Sequence, residues 1–470
     1  MLFSSITFLY AFLPAVFLLY FLVPAKFKNF VLLVMSLLFY AWGEPIYVFL
    51  MLGASLSGYI HGILIGRAKS KAWSKAFMIS SVVVGLGLLG FFKYTGFFVS
   101  NVNSIFGAAL EIPKIALPIG ISFYTFQILS YTIDVYRGNA KIQYNFISFA
   151  AYVALFPQLI AGPIVRYTDV EAELNERKTT FDGFGKGVTR FIIGLGKKIL
   201  LANTLGELCK IYKGIGENDS VLFTWVYVIA YALHIYFDFS GYSDMAIGLG
   251  KMFGFKFPEN FNYPYISKTV SEFWRRWHMS LGSIFRDYVY IPMGGNRVGM
   301  FRWLINVFVV WFLTGFWHGA GWNFIAWGVM FGILLAVEKL FMAKILDKLP
   351  RVFSHIWTLL WVGLSWVLFD AVDFSEAFTR IASMFGGNGL PFVTSDTLYY
   401  LRSYAVVIVI GLIGATPIVK KAVLWFKGTE NSTRAKIMNV IEPVFVVAIL
   451  LVSTAYIIDG SYNPFLYFRF

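Results

Sequence analysis

The chain has very little cysteine and lacks the common signatures of soluble enzymes. Its one cysteine, Cys209, excludes an internal disulfide and any metal cluster built on cysteine. The five histidines include no HExxH and no pair at the i, i+4 spacing of a helical metal site. A glycine-rich phosphate loop, a GxSxG elbow and a CxxC pair are also missing. The sequence therefore predicts no bound metal and no permanently bound cofactor.

Charged residues are also scarce, at 14% of the chain against roughly 25% in ordinary soluble domains. Hydrophobic residues make up 58%, and apolar runs long enough to cross a membrane recur from Ile6 to Ile458. No polar stretch between them resembles an independent domain. The composition predicts an all-α integral membrane protein that forms one domain over residues 1–470.

The charges that are present are mostly basic, with 39 Lys and Arg against 25 Asp and Glu. In a soluble protein this excess would suggest nucleic acid, but in a multispanning protein it indicates basic cytoplasmic loops. Loops that alternate with nearly uncharged turns along the first five apolar segments carry Lys26 and Lys28, then Arg67, Lys69, Lys71 and Lys75, then Arg137 and Lys141. We therefore predict membrane lipid as a partner, no nucleic acid, and an N-terminus outside the cell.

A membrane-spanning helix needs roughly 20 mostly apolar residues. The candidate segments lie near residues 5–23, 29–43, 46–65, 76–98, 116–133, 146–165, 221–237, 303–317, 322–342, 355–371, 402–420 and 438–458. Several are short or contain Gly and Pro, so we expect about eleven true spans and some broken or re-entrant helices. The first segment lacks a basic leading region and a cleavage site, so we expect it to be retained as a helix.

Two stretches interrupt this pattern. Residues 166–220 carry mixed charge followed by an apolar segment with Lys197 and Lys198, which predicts a cytoplasmic loop and then an interfacial or slanted helix. Residues 251–302 form the longest stretch without a span, and basic residues outnumber acidic ones there. No internal repeat at a fixed period is visible, which disfavours a transporter built from two similar halves.

One histidine lies in almost wholly apolar surroundings, within FLTGFWHGAGWNF at residues 312–324. An ionisable side chain in such a place is costly in a membrane and is a functional hypothesis by default. Apolar burial keeps a histidine neutral, so His318 could accept a proton from a hydroxyl that attacks an activated acyl carbon. Glycines at 315, 319 and 321 would let a backbone or a substrate approach. A buried histidine with a structural role explains the pattern equally well.

A second histidine, His278, directly follows SEFWRRW at residues 271–277. Glu272 and Arg276 are four residues apart and can pair on one face of a helix, which leaves Arg275 to face elsewhere. Trp and Arg beside the cytoplasmic face are normally snorkelling anchors. They could also bind a phosphate-rich anion, because guanidinium groups match phosphate and indoles could pack on an adenine. Both interpretations stay open.

A third polar cluster follows an apolar helix in IYFDFSGYSDMAIGLG and comprises Asp238, Ser240, Tyr242, Ser243 and Asp244. Carboxylates at this depth need partners, and the arginines downstream are candidates. The cluster is either a salt-bridge network that holds a pocket together or a site that contacts substrate. Together these residues permit acyl transfer without identifying it.

Apolar strings follow one another in a distinctive order and spacing along nearly the whole chain. They include MLFSSITFLYAFLP, FYAWGEP, FFKYTGFF, LPIGISFYTFQILSYTIDVYRG, LFPQLIAGPIVRY, YFDFSGYSDMAIGLGKMFGFKFPENFNYPYIS, EFWRRWHMSLGSIFRDYVYIPMGGNR, WHGAGWNFIAWG and PFLYFRF. In this order they resemble the membrane-bound O-acyltransferase (MBOAT) superfamily, and most closely its bacterial branch of alginate and peptidoglycan O-acetyltransferases. The resemblance implies a ring of tilted helices, with re-entrant and interfacial helices, around a central tunnel. It also implies a catalytic core at about residues 117–342.

The resemblance assigns roles to the two histidines. His318, in WHG, would be the catalytic histidine that activates the accepting hydroxyl, and His278, in WRRWH, would orient the thioester or stabilise its developing charge. The basic stretch 251–302 would form the funnel on the donor side. The candidate donor-binding and substrate-binding residues are Trp274, Arg275, Arg276, Asn323, Asp238 and Ser240.

The implied function is transfer of an acetyl group from cytoplasmic acetyl-CoA toward a cell-surface polysaccharide, such as peptidoglycan or an alginate-like exopolysaccharide, in the bacterial cytoplasmic membrane. Relatives usually work with an extracytoplasmic SGNH-hydrolase-like partner, and the loops of this chain are too short to hold such a domain. Two alternatives stay open: transfer of D-alanine from a carrier protein to teichoic acid, and a polysaccharide exporter or flippase. No motif identifies the acceptor.

Overall fold

The structure is a computed structural model that describes residues 1–160, 162–216, 219–428 and 432–460. Its regular elements are helices, and these residues contain no strand. The α-helices are α1 (Leu13–Leu22), α2 (Lys28–Ala41), α3 (Tyr47–Gly66), α4 (Lys71–Phe106), α5 (Ile121–Arg137), α6 (Phe146–Ala154), α7 (Phe156–Leu159), α8 (Tyr167–Asn175), α9 (Phe181–Gly196), α10 (Thr204–Gly214), α11 (Val221–Met252), α12 (Val270–Arg276), α13 (Met279–Phe285), α14 (Met300–His318), α15 (Trp322–Val337), α16 (Ala343–Leu346), α17 (Arg351–Asp370), α18 (Phe374–Met384), α19 (Ser395–Gly414), α20 (Ile418–Lys427) and α21 (Thr433–Asp459). The motif PFLYFRF, residues 464–470, lies outside the described residues.

Among the described residues, seven helices are long and apolar enough to cross a membrane, namely α3, α4, α11, α14, α17, α19 and α21. A shorter apolar helical segment covers Phe8–Leu22. The predicted multi-pass membrane protein is therefore confirmed, whereas the expected count of about eleven spans is not. The expected spans near 29–43, 116–133 and 322–342 correspond to α2, α5 and α15, which have 14, 17 and 16 residues.

The described chain divides into two compact units. The first comprises residues 1–191 and 243–258, and the second comprises residues 192–242 and the described residues from 259 onward. The boundaries between the units fall inside α9 and α11, so each of these helices contributes to both units. The single functional domain expected over residues 1–470 stays a prediction.

In the first unit, α3 and α5 approach closely because α3 carries glycine at the contact. A Cβ on Gly58 would lie 2.5 Å from Ile128, and one on Gly62 would lie 2.4 Å from the ring of Tyr131. Small residues at such contacts are how membrane helices gain packing. Elsewhere in this unit, ring centroids 4.8 to 6.3 Å apart join four phenylalanines, namely Phe3, Phe8, Phe39 and Phe156.

The apolar segment that was expected to be an interfacial or slanted helix packs inside the protein. α9 continues through a π-helical stretch, Lys197–Asn203, into α10. Within this stretch Ile199 and Ala202 are buried, and the side chain of Lys198 is only 1% exposed. The apolar residues of this segment pack inside the protein and an ion pair with Asp238 accommodates the lysine, while the interfacial or slanted position in the membrane stays a prediction.

In the second unit, residues 259–299, which make up most of the basic stretch 251–302, contain no candidate span, as expected, and fold into short helices. These are Pro264–Ile266, α12, α13 and the π-helical turn Arg286–Tyr290. The carboxylate of Glu338 accepts hydrogen bonds from the backbone N–H groups of Val270 (2.6 Å) and Ser271 (3.1 Å) and from the Ser271 hydroxyl. A buried carboxylate thus caps α12 and ties it to the turn that follows α15.

Candidate active site

His318 is the last residue of α14 and is 8% exposed. Three aromatic rings lie around its imidazole, with centroid distances of 5.0 Å to Trp317, 5.1 Å to Trp327 and 5.4 Å to Phe369. All three contacts are edge-to-face, the arrangement that aromatic rings prefer. The histidine is therefore buried among aromatic rings, as the sequence predicts.

The glycines beside His318 admit a neighbouring helix. A Cβ on Gly315 would lie 2.3 Å from the carbonyl oxygen of Phe324, and one on Gly319 would lie 2.2 Å from the Phe324 ring. On the opposing helix, a Cβ on Gly328 would lie 2.3 Å from the carbonyl oxygen of Trp311. The space that these glycines leave is occupied by α15, so they fix the position of His318 by close packing of α14 against α15.

His278 lies between α12 and α13 in an unusual backbone conformation. Its φ and ψ are 43° and 54°, in the left-handed region that non-glycine residues seldom adopt. Nδ1 of its imidazole lies 3.1 Å from Oδ1 of Asn260. The same oxygen accepts hydrogen bonds from the backbone N–H of Ser280 (3.3 Å) and from its hydroxyl (2.9 Å).

These hydrogen bonds determine the tautomer of His278. The N–H of Ser280 can only donate, so the Asn260 atom that it meets is the oxygen, and Nδ1 of His278 must carry the proton. Nε2 then presents a lone pair, and this buried atom has no hydrogen-bond partner among the described residues. Burial lowers the pKa of His278, which lies outside the seven candidate spans, to about 3. The side chain is neutral at physiological pH.

Trp317 contacts both histidines. Its ring centroid is 6.0 Å from that of His278 and 5.0 Å from that of His318. The imidazole of His278 also contacts the ring of Phe239, with their centroids 4.7 Å apart. The structure thus brings together two histidines that are forty residues apart in sequence (318 − 278).

The WRRWH segment divides between the interior and the surface. Trp274 packs into an aromatic wall, with centroid distances of 4.6 Å to Trp311 and 5.5 Å to Trp327, and Trp327 also contacts His318. Arg276 pairs with Glu272 at 2.8 Å, which confirms the predicted i, i+4 pair, and Arg275 is exposed. Trp274 therefore links α12 to the surroundings of His318, and Arg275 is available at the surface.

The third cluster forms ion pairs with partners that the sequence did not indicate. Asp238 pairs with Lys198 at 2.5 Å, and both side chains are at most 3% exposed. Asp244 pairs with Arg190, with Nη2 at 2.8 Å and Nε at 3.0 Å. Both of these partners come from the helical segment 181–203, which lies upstream, whereas the sequence suggested the downstream arginines as candidates.

Two further candidates have different surroundings. The side-chain amide of Asn323 donates to the carbonyl oxygen of Ala371 at 3.0 Å, so it ties the start of α15 to the end of α17. Ser240 is 3% exposed, and its hydroxyl has no hydrogen-bond partner within the described part of the chain. Asn323 thus has a structural contact, whereas the hydroxyl of Ser240 could still form a hydrogen bond with a substrate.

Sequence reasoning missed two residues that position the site, Asn260 and Glu338. Glu338 could have been noticed as a lone carboxylate that ends the apolar run of α15, because a buried charge needs partners. Asn260 gives no comparable indication, since it lies in a loop, FPENFNYPY, eighteen residues before the histidine that it contacts.

This arrangement suits proton transfer in a dry environment. It offers two buried imidazoles, and His278 is fixed in the tautomer whose Nε2 accepts a hydrogen bond. Aromatic rings around both histidines exclude water, which would otherwise compete for a reactive acyl group. The site therefore fits the attack of a hydroxyl on an acyl carbon.

Comparisons with known proteins agree with this chemistry. The sequence model described as "MBOAT, membrane-bound O-acyltransferase family" matches residues 136–369. The chain is 44% identical to the probable alginate O-acetylase AlgI of Pseudomonas aeruginosa, over 82% of this chain and 75% of that relative. It is 32% identical to the peptidoglycan O-acetyltransferase of Helicobacter pylori, over 100% of this chain and 98% of the relative. The teichoic acid D-alanyltransferase of Bacillus subtilis is 29% identical over 51% of this chain and 63% of its own length.

Proposed function

This chain belongs to the membrane-bound O-acyltransferase family, and we propose that it transfers an acetyl group from cytoplasmic acetyl-CoA toward a cell-surface polysaccharide. Relatives named as alginate and peptidoglycan O-acetyltransferases support both the acetyl group and the polysaccharide acceptor. The proposal places the chain in the bacterial cytoplasmic membrane with its N-terminus outside. The basic stretch 251–302 then lies on the cytoplasmic side, where the donor arrives.

The observation that carries the proposal is the pair of buried imidazoles that both contact Trp317. In the reaction, His318 takes the proton of the acceptor hydroxyl as the hydroxyl oxygen attacks the acetyl carbon. The C–S bond of the thioester breaks, the thiolate of CoA leaves, and the proton on His318 neutralises it. Atoms and charge balance, and no internal nucleophile is required.

The tautomer of His278 favours one of the two roles that the resemblance allowed. Its Nε2 is an acceptor and cannot donate a hydrogen bond to a developing oxyanion. It can accept one from an amide N–H, such as those of the pantetheine arm of CoA. We therefore assign His278 to orienting the thioester, with Asn260 holding its ring in place.

The surface of α12 supports a donor that carries phosphate. Arg275 is exposed, and the surrounding stretch 251–302 is rich in Lys and Arg. A guanidinium group can bind a phosphate bidentately. We propose Arg275 as a contact for the phosphates of CoA, whereas Arg276 is engaged by Glu272. A separate extracytoplasmic SGNH-hydrolase-like partner would complete transfer to the polymer.

Thioester turnover by the purified protein tests the proposal. We would supply radiolabelled acetyl-CoA and follow CoA release for wild type, His318→Ala and His61→Ala. His61 is the matched control, because it lies in the candidate span α3 and its Nδ1 is 2.8 Å from the carbonyl oxygen of Ser57. We expect release to fall on the order of a hundredfold or more in His318→Ala and to persist in His61→Ala.

The remaining outcomes decide between the alternatives. Equal release by wild type and His318→Ala would refute the role of His318. Release only from a D-alanyl carrier protein would favour the chemistry named for the Bacillus subtilis relative. Polysaccharide transport without turnover of either donor, measured with the partner present, would identify an exporter.

A further inference from the structure

A cavity of about 460 Å³ opens in the second unit where α10 ends and α18 begins. Its volume lies within the range of about 300–1,000 Å³ typical of sites for small ligands. Polar side chains line most of it, namely Tyr212, Lys213, Asp219, Glu376, Thr379 and Arg380. The acyl-transfer site described above uses none of these residues.

An ion network fixes one wall of the cavity. The buried carboxylate of Asp370 lies 2.5 Å from Nζ of Lys213 and 3.2 Å from Nη1 of Arg380. Arg380 also donates to the hydroxyl of Tyr227 at 2.8 Å and pairs with Glu376. Both cations are therefore paired with carboxylates of the protein, which offsets their attraction for an anionic ligand.

The cavity offers hydrogen-bond acceptors in excess. Asp219 accepts hydrogen bonds from the Tyr212 hydroxyl (3.1 Å) and from the backbone N–H of Ser220 (2.7 Å). Each carboxylate oxygen has a second lone pair that can accept another donor. Three lining carboxylates, those of Asp219, Asp373 and Glu376, outnumber the two lining cations. The cavity therefore suits a ligand rich in hydroxyl groups and opposes one that carries carboxylates.

The directions of the helices place this cavity at the opposite end of α17 from the part of the basic stretch that contacts the start of that helix. α14 begins at the basic stretch, where the side-chain amide of Asn306 donates to the carbonyl oxygens of Met293 and Gly295. α17 also begins there, since Nδ1 of His355 is 3.1 Å from the carbonyl oxygen of Ser267. α17 ends, about 29 Å further along, at Asp370 beside the cavity.

The same helix end connects the cavity to His318. Phe369, whose ring meets His318 at 5.4 Å, directly precedes the Asp370 that the cavity cations bind. The next residue, Ala371, accepts the hydrogen bond from Asn323 at the start of α15. Three consecutive residues thus join the cavity wall, the histidine and the WHG loop.

We propose that this cavity binds an uncharged, hydroxyl-rich sugar unit of the acceptor on the face opposite the donor. The proposal rests on the proposed function, because that function supplies the orientation of the membrane and the need for an acceptor. A site here holds a sugar unit of the accepting polymer near the end of α14 that carries His318, where the extracytoplasmic partner completes the transfer. Arg380 holds Glu376 in place, and both cations bind Asp370 in the cavity wall.

Direct binding to a catalytically inactive chain tests the proposal separately from the chemistry. The full-length protein carrying His318→Ala, in detergent, would be titrated with chitotetraose, a neutral N-acetylglucosamine tetramer, and with tetramannuronate, a polyanion of similar length. We expect chitotetraose to bind at least about tenfold more tightly than tetramannuronate. Tighter binding of tetramannuronate, or binding of neither probe, would overturn the proposal.

A substitution that fills the cavity then locates the site. Thr379 is exposed and lines the cavity, so a Trp at this position occupies the space without disturbing the core. We expect Thr379→Trp to weaken chitotetraose binding about tenfold or more. Phe378→Trp is the matched control, because Phe378 is 68% exposed on the same helix and does not line the cavity. Equal weakening by both variants, or no weakening by Thr379→Trp, would refute the location.

The two proposals can fail separately. Wild type that binds chitotetraose but never releases CoA would leave the sugar site standing and remove the acetyl-CoA reaction. Wild type that releases CoA but binds no sugar would support the acetyl-CoA reaction and refute the sugar site. If Thr379→Trp blocked association with an extracytoplasmic partner protein while chitotetraose still bound normally, the cavity would be a protein-docking site and the proposal would be wrong.

Discussion

Asn260 holds the imidazole of His278 through a single oxygen atom. Oδ1 of Asn260 is 3.1 Å from Nδ1 of His278 and also accepts the backbone N–H of Ser280, at 3.3 Å. The asparagine therefore spans the turn before α13 and connects its main chain to the histidine ring. It sets which nitrogen carries the proton, so we infer that it is a positioning residue for the reaction.

Replacing this oxygen tests that role. Asn260→Ala removes the group that fixes the tautomer, and we expect kcat for CoA release to fall on the order of tenfold to a hundredfold. Asn260→Asp keeps the acceptor and adds a negative charge, which raises the pKa of His278 and moves the acid limb of kcat/KM to higher pH. Asn262→Ala is the control, because Asn262 is exposed and bonds to Arg276 through its main chain. An unshifted acid limb in Asn260→Asp would contradict the role.

The buried state of His278 also predicts how stability depends on pH. Its pKa is about 3 in the folded protein against an ordinary 6.5, so between these values the unfolded chain binds more protons than the folded one. Stability therefore falls as pH falls through this range, by up to roughly 1.4 kcal/mol per pH unit, and is unaffected by this group above it. We expect the melting temperature in detergent to fall less steeply from pH 7 to pH 5 in His278→Gln than in wild type. Parallel slopes would rule out this contribution.

The sequence predicts those features that depend on composition and local spacing. His318 is recognisable because an ionisable group in an uncharged apolar run is costly, and its burial follows from the same surroundings. The pairing of Glu272 with Arg276 follows from the i, i+4 spacing of a helix. In both cases the neighbours in sequence determine the outcome.

Features that depend on helix packing are not predictable in this way. The partner of Asp238 is Lys198, forty positions upstream on a different helix, and no local pattern selects it over the downstream arginines. The number of spans cannot be counted from apolar segments either. The segment near 146–165 is apolar enough for a span, but its helix α6 has only nine residues and ends inside the protein. Helices that other helices surround need not reach the length that lipid requires.

The close contact between α14 and α15 should not tolerate a single methyl group. In Gly328→Ala the new Cβ would lie 2.3 Å from the backbone oxygen of Trp311, which cannot move without shifting α14. We expect a destabilisation of about 1–3 kcal/mol and reduced CoA release, because α14 carries His318. Gly87→Ala in the spanning helix α4 is the matched control, since nothing lies within 4 Å of its Cβ. A melting temperature unchanged in Gly328→Ala would show that the two helices are less closely packed.

Variants of the buried ion pair between Lys198 and Asp238 can distinguish two roles for the polar cluster at residues 238–244. The cluster either holds helices together or binds substrate. Lys198→Met or Asp238→Leu alone leaves an uncompensated charge in the interior, and we expect each to cost about 3–5 kcal/mol in thermal or denaturant unfolding. The double variant removes both charges and should recover most of that loss.

CoA release by the double variant then decides between the two roles. If the pair only holds helices together, release recovers along with stability. If Asp238 contacts the donor or the acceptor, release stays low in a protein that is stably folded, and a raised KM would identify which substrate has lost its contact. Because stability and KM are measured on the same variant, loss of folding cannot be mistaken for loss of binding.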